Sequence, residues 1–199
     1  MPYVPARGDH EARRRDVSAA VWRVLASQGF GGLTLRAVAA EMGVSTGLLT
    51  HYFPTKKALV RHALELAHEH TDGRDRRTPP AEGLAALRTA LLDVLPLTAA
   101  AAEMSRVWIG FWDSALTDAE LGAAELARYE RWRGMLRPHV QAAVRLGELP
   151  AGTMVDDVVV QAAAFAHGLV VQALFDPARL PPERQIRLVD GFVGLLSAR

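Results

Sequence analysis

The stretch Thr34–Phe53, TLRAVAAEMGVSTGLLTHYF, decides the fold of this chain. It contains two short helical patterns joined by a turn at Gly43, a residue type that commonly ends helices in a left-handed conformation. Apolar residues recur at helical spacing before the turn, and Thr34 is placed to cap that first helix. Ser45 is placed to cap the second helix. The pattern predicts a helix-turn-helix.

The second of these helices has two unlike faces. At about 100° per residue, one arc is apolar and aromatic, with Leu48, Leu49, Tyr52 and Phe53. The opposite arc carries small, hydrogen-bonding side chains, namely Thr46, Gly47, Thr50 and His51. A helix with such an outer face, supported by a neighbouring helix, suits the major groove of DNA. The predicted partner is therefore double-stranded DNA.

Composition and charge agree with an intracellular DNA-binding protein. The chain has 199 residues and no cysteine, which excludes disulfides and thiolate metal sites. Residues 1–77 hold 12 Lys+Arg and 8 Asp+Glu, a net charge of +4, whereas residues 78–199 have a net charge of −3. The cations thus concentrate around the helix-turn-helix. We expect a cytoplasmic protein with no membrane span and no signal peptide.

The whole chain is predicted to be all-α, with about nine helices, since no run alternates as a strand would. The charged, proline-ended segment DGRDRRTPP, residues 72–80, is the best candidate boundary. We expect a three-helix helix-turn-helix DNA-binding domain with a linking helix over residues 1–77. A larger helical bundle for effector binding and dimerisation is expected over residues 78–199.

The last two predicted helices, at about 153–175 and 183–197, have unusually wide apolar faces. A helix that is apolar almost all round must be buried on both sides, and a second copy of the chain would supply one of them. The predicted interface of a homodimer comprises Val155, Val158, Ala162, Ala166, Leu169, Val189, Phe192, Val193 and Leu196. The alternative is that these residues form only an intramolecular core.

Aromatic residues of the second domain predict either an effector site or core packing. Trp108, Phe111 and Trp112 share one side of a helix, and a longer helix brings a second aromatic and soft surface. The candidate effector-binding residues are Trp108, Phe111, Trp112, Tyr129, Trp132, Met135 and Phe165. Such walls suit an apolar or cationic small molecule. Asp113 and Glu130 are the nearest acids in sequence, and His167 is interpreted as a core histidine.

Three features that resemble catalytic or metal sites are given plainer interpretations. GVSTG, residues 43–47, matches the nucleophile elbow of serine hydrolases, but that motif needs a strand before the turn and a helix precedes it here. His62, His68 and His70 lack the spacing of a zinc site and are interpreted as solvated. No catalytic residue, metal or cofactor is predicted.

With these residues in view, the chain resembles the TetR family of bacterial transcriptional regulators. The resemblance runs through residues 14–66 and is densest in GVSTGLLTHYFPTKKALV, residues 43–60. Two further segments, VWIGFWDSALTDAEL and RYERWRGML, resemble the effector domain of the betaine-operon repressor (BetI) type. The resemblance implies a homodimeric repressor that binds a palindromic operator and is released by a small-molecule effector.

The resemblance also implies roles for individual residues. Ser45, Thr46, Tyr52, Lys56 and Arg36 would contact phosphates. Gly47 would allow close approach to the groove, and Thr50 and His51 would face bases or sugar-phosphate. Two positions depart from the family pattern: Thr50 stands where many relatives carry tyrosine, and Lys57 where an acid often follows the family lysine. Operator preference is therefore not transferable from relatives.

Two other functions stay open at this point. One is a DNA-binding regulator without an effector, controlled only by its abundance. The other is a helical enzyme acting on a small molecule in the second domain, which the chain supports poorly because it offers no nucleophile-base pair, metal set or phosphate loop. We therefore expect no enzymatic activity.

Overall fold

A computed structural model describes residues 7–73, 77 and 82–197, and of residues 7–11 the backbone only. The described residues contain helices and no strand, which confirms the predicted all-α class. The helices are α1 (Arg7–Gly32), α2 (Leu35–Met42), α3 (Thr46–Thr50), α4 (Lys56–Asp72), α5 (Gly83–Leu92), α6 (Ala99–Thr117), α7 (Ala119–Arg145), α8 (Val155–Phe175) and α9 (Pro182–Ser197). Most of the predicted boundary segment, residues 74–76 and 78–80, lies outside the described residues.

The chain divides into two compact units. Unit 1 comprises Met1–Arg74 and the middle of α6, Arg106–Ser114. Unit 2 comprises Asp75–Ser105 and Ala115–Arg199. The boundary near residue 75 lies close to the predicted one, but the sequence interpretation placed the whole of α6 in the second domain. The structure differs because part of α6 packs with the helices of unit 1.

The helix-turn-helix forms as the local sequence dictates. Thr34 is extended, and its hydroxyl accepts a hydrogen bond from the amide of Ala37 at 3.0 Å, which caps α2. Gly43 ends α2 in the left-handed region, at φ 66° and ψ 31°. Leu49 is completely covered and Phe53 nearly so; α3 packs on α2, and the ring of Phe53 lies 5.3 Å from that of His62 in α4. The predicted orientation of α3 follows from these burials.

Side chains of α1 and α4 join the two long helices of unit 1. Ser18 Oγ lies 2.9 Å from Nε2 of His62, and the rings of Trp22 and His70 stack 3.8 Å apart. The second contact lies further along both helices than the first, so α1 and α4 run in the same direction. The contacts place the start of α4 beside the part of α1 that precedes Ser18.

The middle of α6 closes the opposite end of unit 1. Trp108 donates through Nε1 to the hydroxyl of Thr71 at 3.0 Å, in the last turn of α4. Phe111 is completely buried, and its ring lies 5.0 Å from that of Phe30. Phe30 follows Gly29, where a positive φ of 66° kinks the end of α1. This packing gives the core-filling interpretation of Trp108 and Phe111 its structural basis.

Unit 2 is a bundle in which α5 packs on α7 and α9, and α8 packs on α7 and α9. Ala162, Ala166 and Val189 are fully covered within this bundle. Their assignment to a dimer interface is wrong, because the chain itself already occupies their surface. Leu169 and Leu196 are also buried, whereas Val155, Val158, Phe192 and Val193 are half-buried. The periodicity of α8 did not distinguish its inner face from its outer one.

By length and composition alone, α8 could cross a membrane: it has 21 residues and a mean hydropathy of 1.8. That this segment is long and apolar enough for a membrane span was not recognised from the sequence. Core helices of soluble proteins pass the same test, however, and 39% of the apolar window of α8 is buried within the bundle. A single helix of this kind is weak evidence for a membrane span.

Candidate nucleic-acid interface

The outer face of α3 is the exposed surface that the sequence predicted. Thr46, Gly47, Thr50 and His51 are all exposed, while the apolar side chains of the same segment point inward. A methyl group added at Gly47 would meet only Ser45 Oγ, at 3.8 Å. The backbone of α3 is therefore open to the outside at this position, as close approach to a groove requires.

Ser45 occupies the capping position of α3, but its side chain makes no capping hydrogen bond. The prediction of a side-chain cap is therefore wrong. The backbone carbonyl of Ser45 instead accepts from the amide of Leu48 at 3.1 Å. The exposed hydroxyl thus keeps its hydrogen-bonding capacity for another partner.

The hydroxyl of Thr50 already uses its one hydrogen-bond donor. It donates to the backbone carbonyl of Gly47 at 2.8 Å, so its proton is engaged within α3. The oxygen can still accept a hydrogen bond, and the methyl group stays available for apolar contact. In a major groove, these properties fit an adenine or cytosine amino group and a thymine methyl group, respectively.

The first turns of α2 and α4 each carry a cation and no acid. Lys56 begins α4, whose cap is the hydroxyl of Thr55, accepting from Ala58 at 3.1 Å. Arg36 is the second residue of α2 and is exposed. Helix N-termini are partially positive, so anions are stabilised there and lysine or arginine adds to the attraction. Tyr52 lies half-buried between α3 and α4.

Of the three histidines of α4, His62 and His68 are half-buried rather than solvated, whereas His70 is exposed, as the sequence predicted. His62 contacts Ser18 and lies 5.3 Å from the ring of Phe53, and His70 stacks on Trp22. His68 meets the edge of Trp108 at 5.0 Å. Among the described residues, no group of His, Asp and Glu is arranged to hold a metal.

The predicted effector-binding residues fall into both units. Trp108, Phe111 and Trp112 belong to the α6 segment of unit 1. Unit 2 contains the other four, Tyr129, Trp132, Met135 and Phe165. Phe165 stacks on Phe192 at 4.4 Å, and Met135 is exposed.

Within unit 2, Tyr129 and Trp132 form an aromatic cluster around His167. The ring of His167 lies 5.0 Å from that of Tyr129 and 4.7 Å from that of Trp132. Burial, with a smaller effect of the Arg128 charge, lowers the pKa of His167 to about 4, so the imidazole is neutral near pH 7. Burial likewise raises the pKa of Tyr129.

A buried ion pair adjoins this aromatic cluster, and the sequence analysis missed it. The carboxylate of Glu125 is buried and accepts two hydrogen bonds from Arg128, at 2.9 and 2.6 Å. The guanidinium of Arg128 lies 5.1 Å from the ring centre of Tyr129. The spacing of three residues on a helix was the available signal. Asp113 and Glu130, the acids singled out by sequence, are both exposed.

Comparison with known families accounts for both units. Residues 18–63 match the bacterial regulatory proteins of the tetR family, and residues 83–197 match the C-terminal domain of BetI-type transcriptional repressors. The second match alone covers more than half of the chain. The chain belongs to the TetR family. It is a DNA-binding transcriptional regulator with a BetI-type C-terminal domain.

Individual relatives agree with this assignment. The transcriptional regulator PksA of Bacillus subtilis is 27% identical over 201 residues, covering 94% of this chain and 90% of that protein. BetI of Burkholderia ambifaria is 32% identical over 124 residues, covering 59% of this chain and 62% of its own. A putative regulator from Saccharomonospora viridis, crystallised with choline, superposes with a TM-score of 0.78 at 19% identity, covering 92% and 96% of the two chains.

Proposed function

We propose that this TetR-family regulator is a cytoplasmic homodimeric repressor that binds a palindromic operator and is released by a small-molecule effector. The observation that carries the proposal is the outer face of α3, where small polar side chains stand exposed on a helix fixed by the buried Leu49 and Phe53. We further propose that the protein acts without enzymatic turnover.

In the proposed complex, α3 lies in the major groove. Thr50 and His51 read bases, and Gly47 lets the backbone approach closely. Thr50 accepts from an adenine or cytosine amino group, because its own proton is held by Gly47. Phosphates are bound by Arg36, Ser45, Thr46, Tyr52 and Lys56. The free hydroxyl of Ser45 and the uncompensated N-terminus of α4 support these contacts.

The proposed dimer pairs the outer faces of α8 and α9. Along α8, Val160, Ala164, Gly168, Val171 and Phe175 recur at helical spacing, and Phe175 is 83% exposed. On α9, Leu188 and Leu195 are exposed one above the other. Side chains of this size are rarely left together in solvent on a single domain. The half-buried Phe192 borders this face on α9. Val155 and Val158, assigned to the interface from sequence, lie on the side of α8 that carries the buried Ala162 and Ala166, and Val193 lies away from Leu188 and Leu195, so these three are not part of the proposed interface.

The proposed effector is a small organic cation held in unit 2. Tyr129 and Trp132 offer aromatic faces from the same helix. The choline complex of the Saccharomonospora regulator supports this choice. A regulator without an effector is the alternative, and a thermal-shift titration with choline separates the two: no shift at millimolar choline would argue against a choline effector.

The DNA-binding proposal is tested on the promoter region beside the chain's own gene. Footprinting should reveal one protected palindrome, and a single-base substitution series should then map its specificity. The Lys56→Ala variant should weaken binding to specific and random DNA alike, whereas the Thr50→Val variant should change the preferred base at one position per half-site. Equal affinity of the unmodified protein for the palindrome and for random DNA would refute the proposal.

A further inference from the structure

The first described turns of α1 carry three consecutive arginines, Arg13, Arg14 and Arg15, all exposed. Within the described part of the chain, none of the three forms an ion pair. Arg14 and Arg15 precede Ser18 by four and three residues, so they lie on the side of the helix that Ser18 turns towards α4. Asp16, two residues before Ser18, lies on the far side.

The parallel register of α1 and α4 fixes where these two arginines stand. Ser18 contacts His62, in the second turn of α4, and Trp22 contacts His70, two turns further on. Four residues of helix span about 6 Å. Moving that far back from Ser18 brings Arg14 level with the first turn of α4, where Lys56 and Lys57 begin the helix.

Four cations therefore surround the N-terminal end of α4: Arg14, Arg15, Lys56 and Lys57. Cations at this end oppose the helix dipole, and α4 has no acid in its first turn to compensate. An anion bound there would be stabilised both by the four charges and by the helix N-terminus. It also lies on the side of unit 1 where α3 ends and Phe53 meets His62.

We propose that Arg14 and Arg15 bind phosphates of the operator backbone next to the phosphate held at the start of α4. The inference rests on the proposed operator binding and adds α1 to the DNA-contacting helices. These contacts are to the sugar-phosphate chain, so they strengthen binding to every sequence and carry no base preference. The proposed contacts need only a positive charge at each position, so lysine at both positions should bind the phosphates as well as arginine does.

The test is the salt dependence of operator affinity, measured by fluorescence anisotropy on a labelled duplex between 50 and 300 mM NaCl. Log K falls linearly with log [salt], and each lost phosphate contact reduces the magnitude of this negative slope by about 0.9. The Arg14→Ala/Arg15→Ala double variant loses two contacts in each protomer, so the slope of a dimer should fall by about 3.6. The Arg14→Lys/Arg15→Lys variant should retain the slope.

Arg106→Ala is the matched control, since Arg106 is exposed in the same unit and stands two residues from Trp108, which contacts the last turn of α4. Arg106 thus lies at the opposite end of α4 from Lys56. Its removal should leave the slope unchanged. If the alanine pair disturbs α1, judged by circular dichroism, the Arg14→Gln/Arg15→Gln pair removes the charges while keeping long, helix-favouring side chains.

The outcomes separate this inference from the proposal on which it rests. If Lys56→Ala lowers affinity and slope while the Arg14/Arg15 variants behave like Arg106→Ala, α1 does not contact the operator and the inference is overturned. If Lys56→Ala and Thr50→Val also leave binding unchanged, operator recognition by this surface fails as a whole. Phosphate-ethylation interference adds a direct readout: the double variant should become insensitive to ethylation at particular phosphates of each half-site.

Discussion

Replacing Gly47 by alanine should make the protein more stable and a weaker DNA binder. Gly47 is the second residue of α3, and it has no positive φ that would strain an alanine. Its added methyl group would meet one atom, Ser45 Oγ at 3.8 Å, which is ordinary van der Waals contact. Alanine exceeds glycine in helix propensity by about 0.8–1.0 kcal/mol in a helix interior, so near the end of this short helix we expect a gain of about 0.5 kcal/mol.

The same methyl group should obstruct the groove. Overpacking a close-fitting contact by one methyl group costs about 1–3 kcal/mol, which corresponds to a loss of operator affinity of about fivefold to 140-fold. Urea unfolding and anisotropy titrations measure the two effects separately. Gly134→Ala is the matched control, because Gly134 is exposed within α7 and has nothing within 4 Å of an added methyl group. Operator affinity unchanged in Gly47→Ala would refute the close approach of this backbone.

Two further predictions concern stability. Gly43→Ala should destabilise the helix-turn-helix by about 1 kcal/mol in urea unfolding, because the left-handed turn penalises any Cβ; a variant as stable as the Gly31→Ala control would contradict this. Because the pKa of His167 is lowered to about 4, its imidazole is protonated in the unfolded chain but stays neutral in the folded chain between about pH 6.5 and 4. Stability should therefore fall by up to about 3 kcal/mol over that window as the pH decreases, and a His167→Gln variant that loses stability as steeply would refute the assignment.

The helix-turn-helix could be predicted closely because its signals are local. The Thr34 cap, the left-handed Gly43 and the covered face of α3 all follow from residues within one turn of each other. Where two neighbouring residues can both cap a helix, the sequence does not decide which of them does so. Residues 117–120, TDAE, have the spacing of a capping box with Thr117 as the cap, but α6 runs through Thr117, and Asp118 caps α7 by accepting from the amides of Glu120 and Leu121.

The parts that could not be predicted depend on which elements pack together. An apolar stripe on α8 does not say which side faces its own bundle, so Ala162 and Ala166 were assigned outward and are inside. Trp108 and Tyr129 were grouped by chemistry, although contacts of α6 bring Trp108 to Thr71 in unit 1. Helical spacing identifies a face and leaves its partner open.

The middle of α6 has a consequence for how such a protein can be divided or recombined. Unit 1 is discontinuous in sequence, since Arg106–Ser114 completes it from beyond the segment that begins unit 2. A fragment ending near residue 77 would lack Trp108 and Phe111 and would bare Phe30 to water. The N-terminal DNA-binding segment is thus not a domain that can be transferred by itself. A chimaera that joins it to another regulator must also include this stretch of α6, or supply a helix that replaces its aromatic side chains.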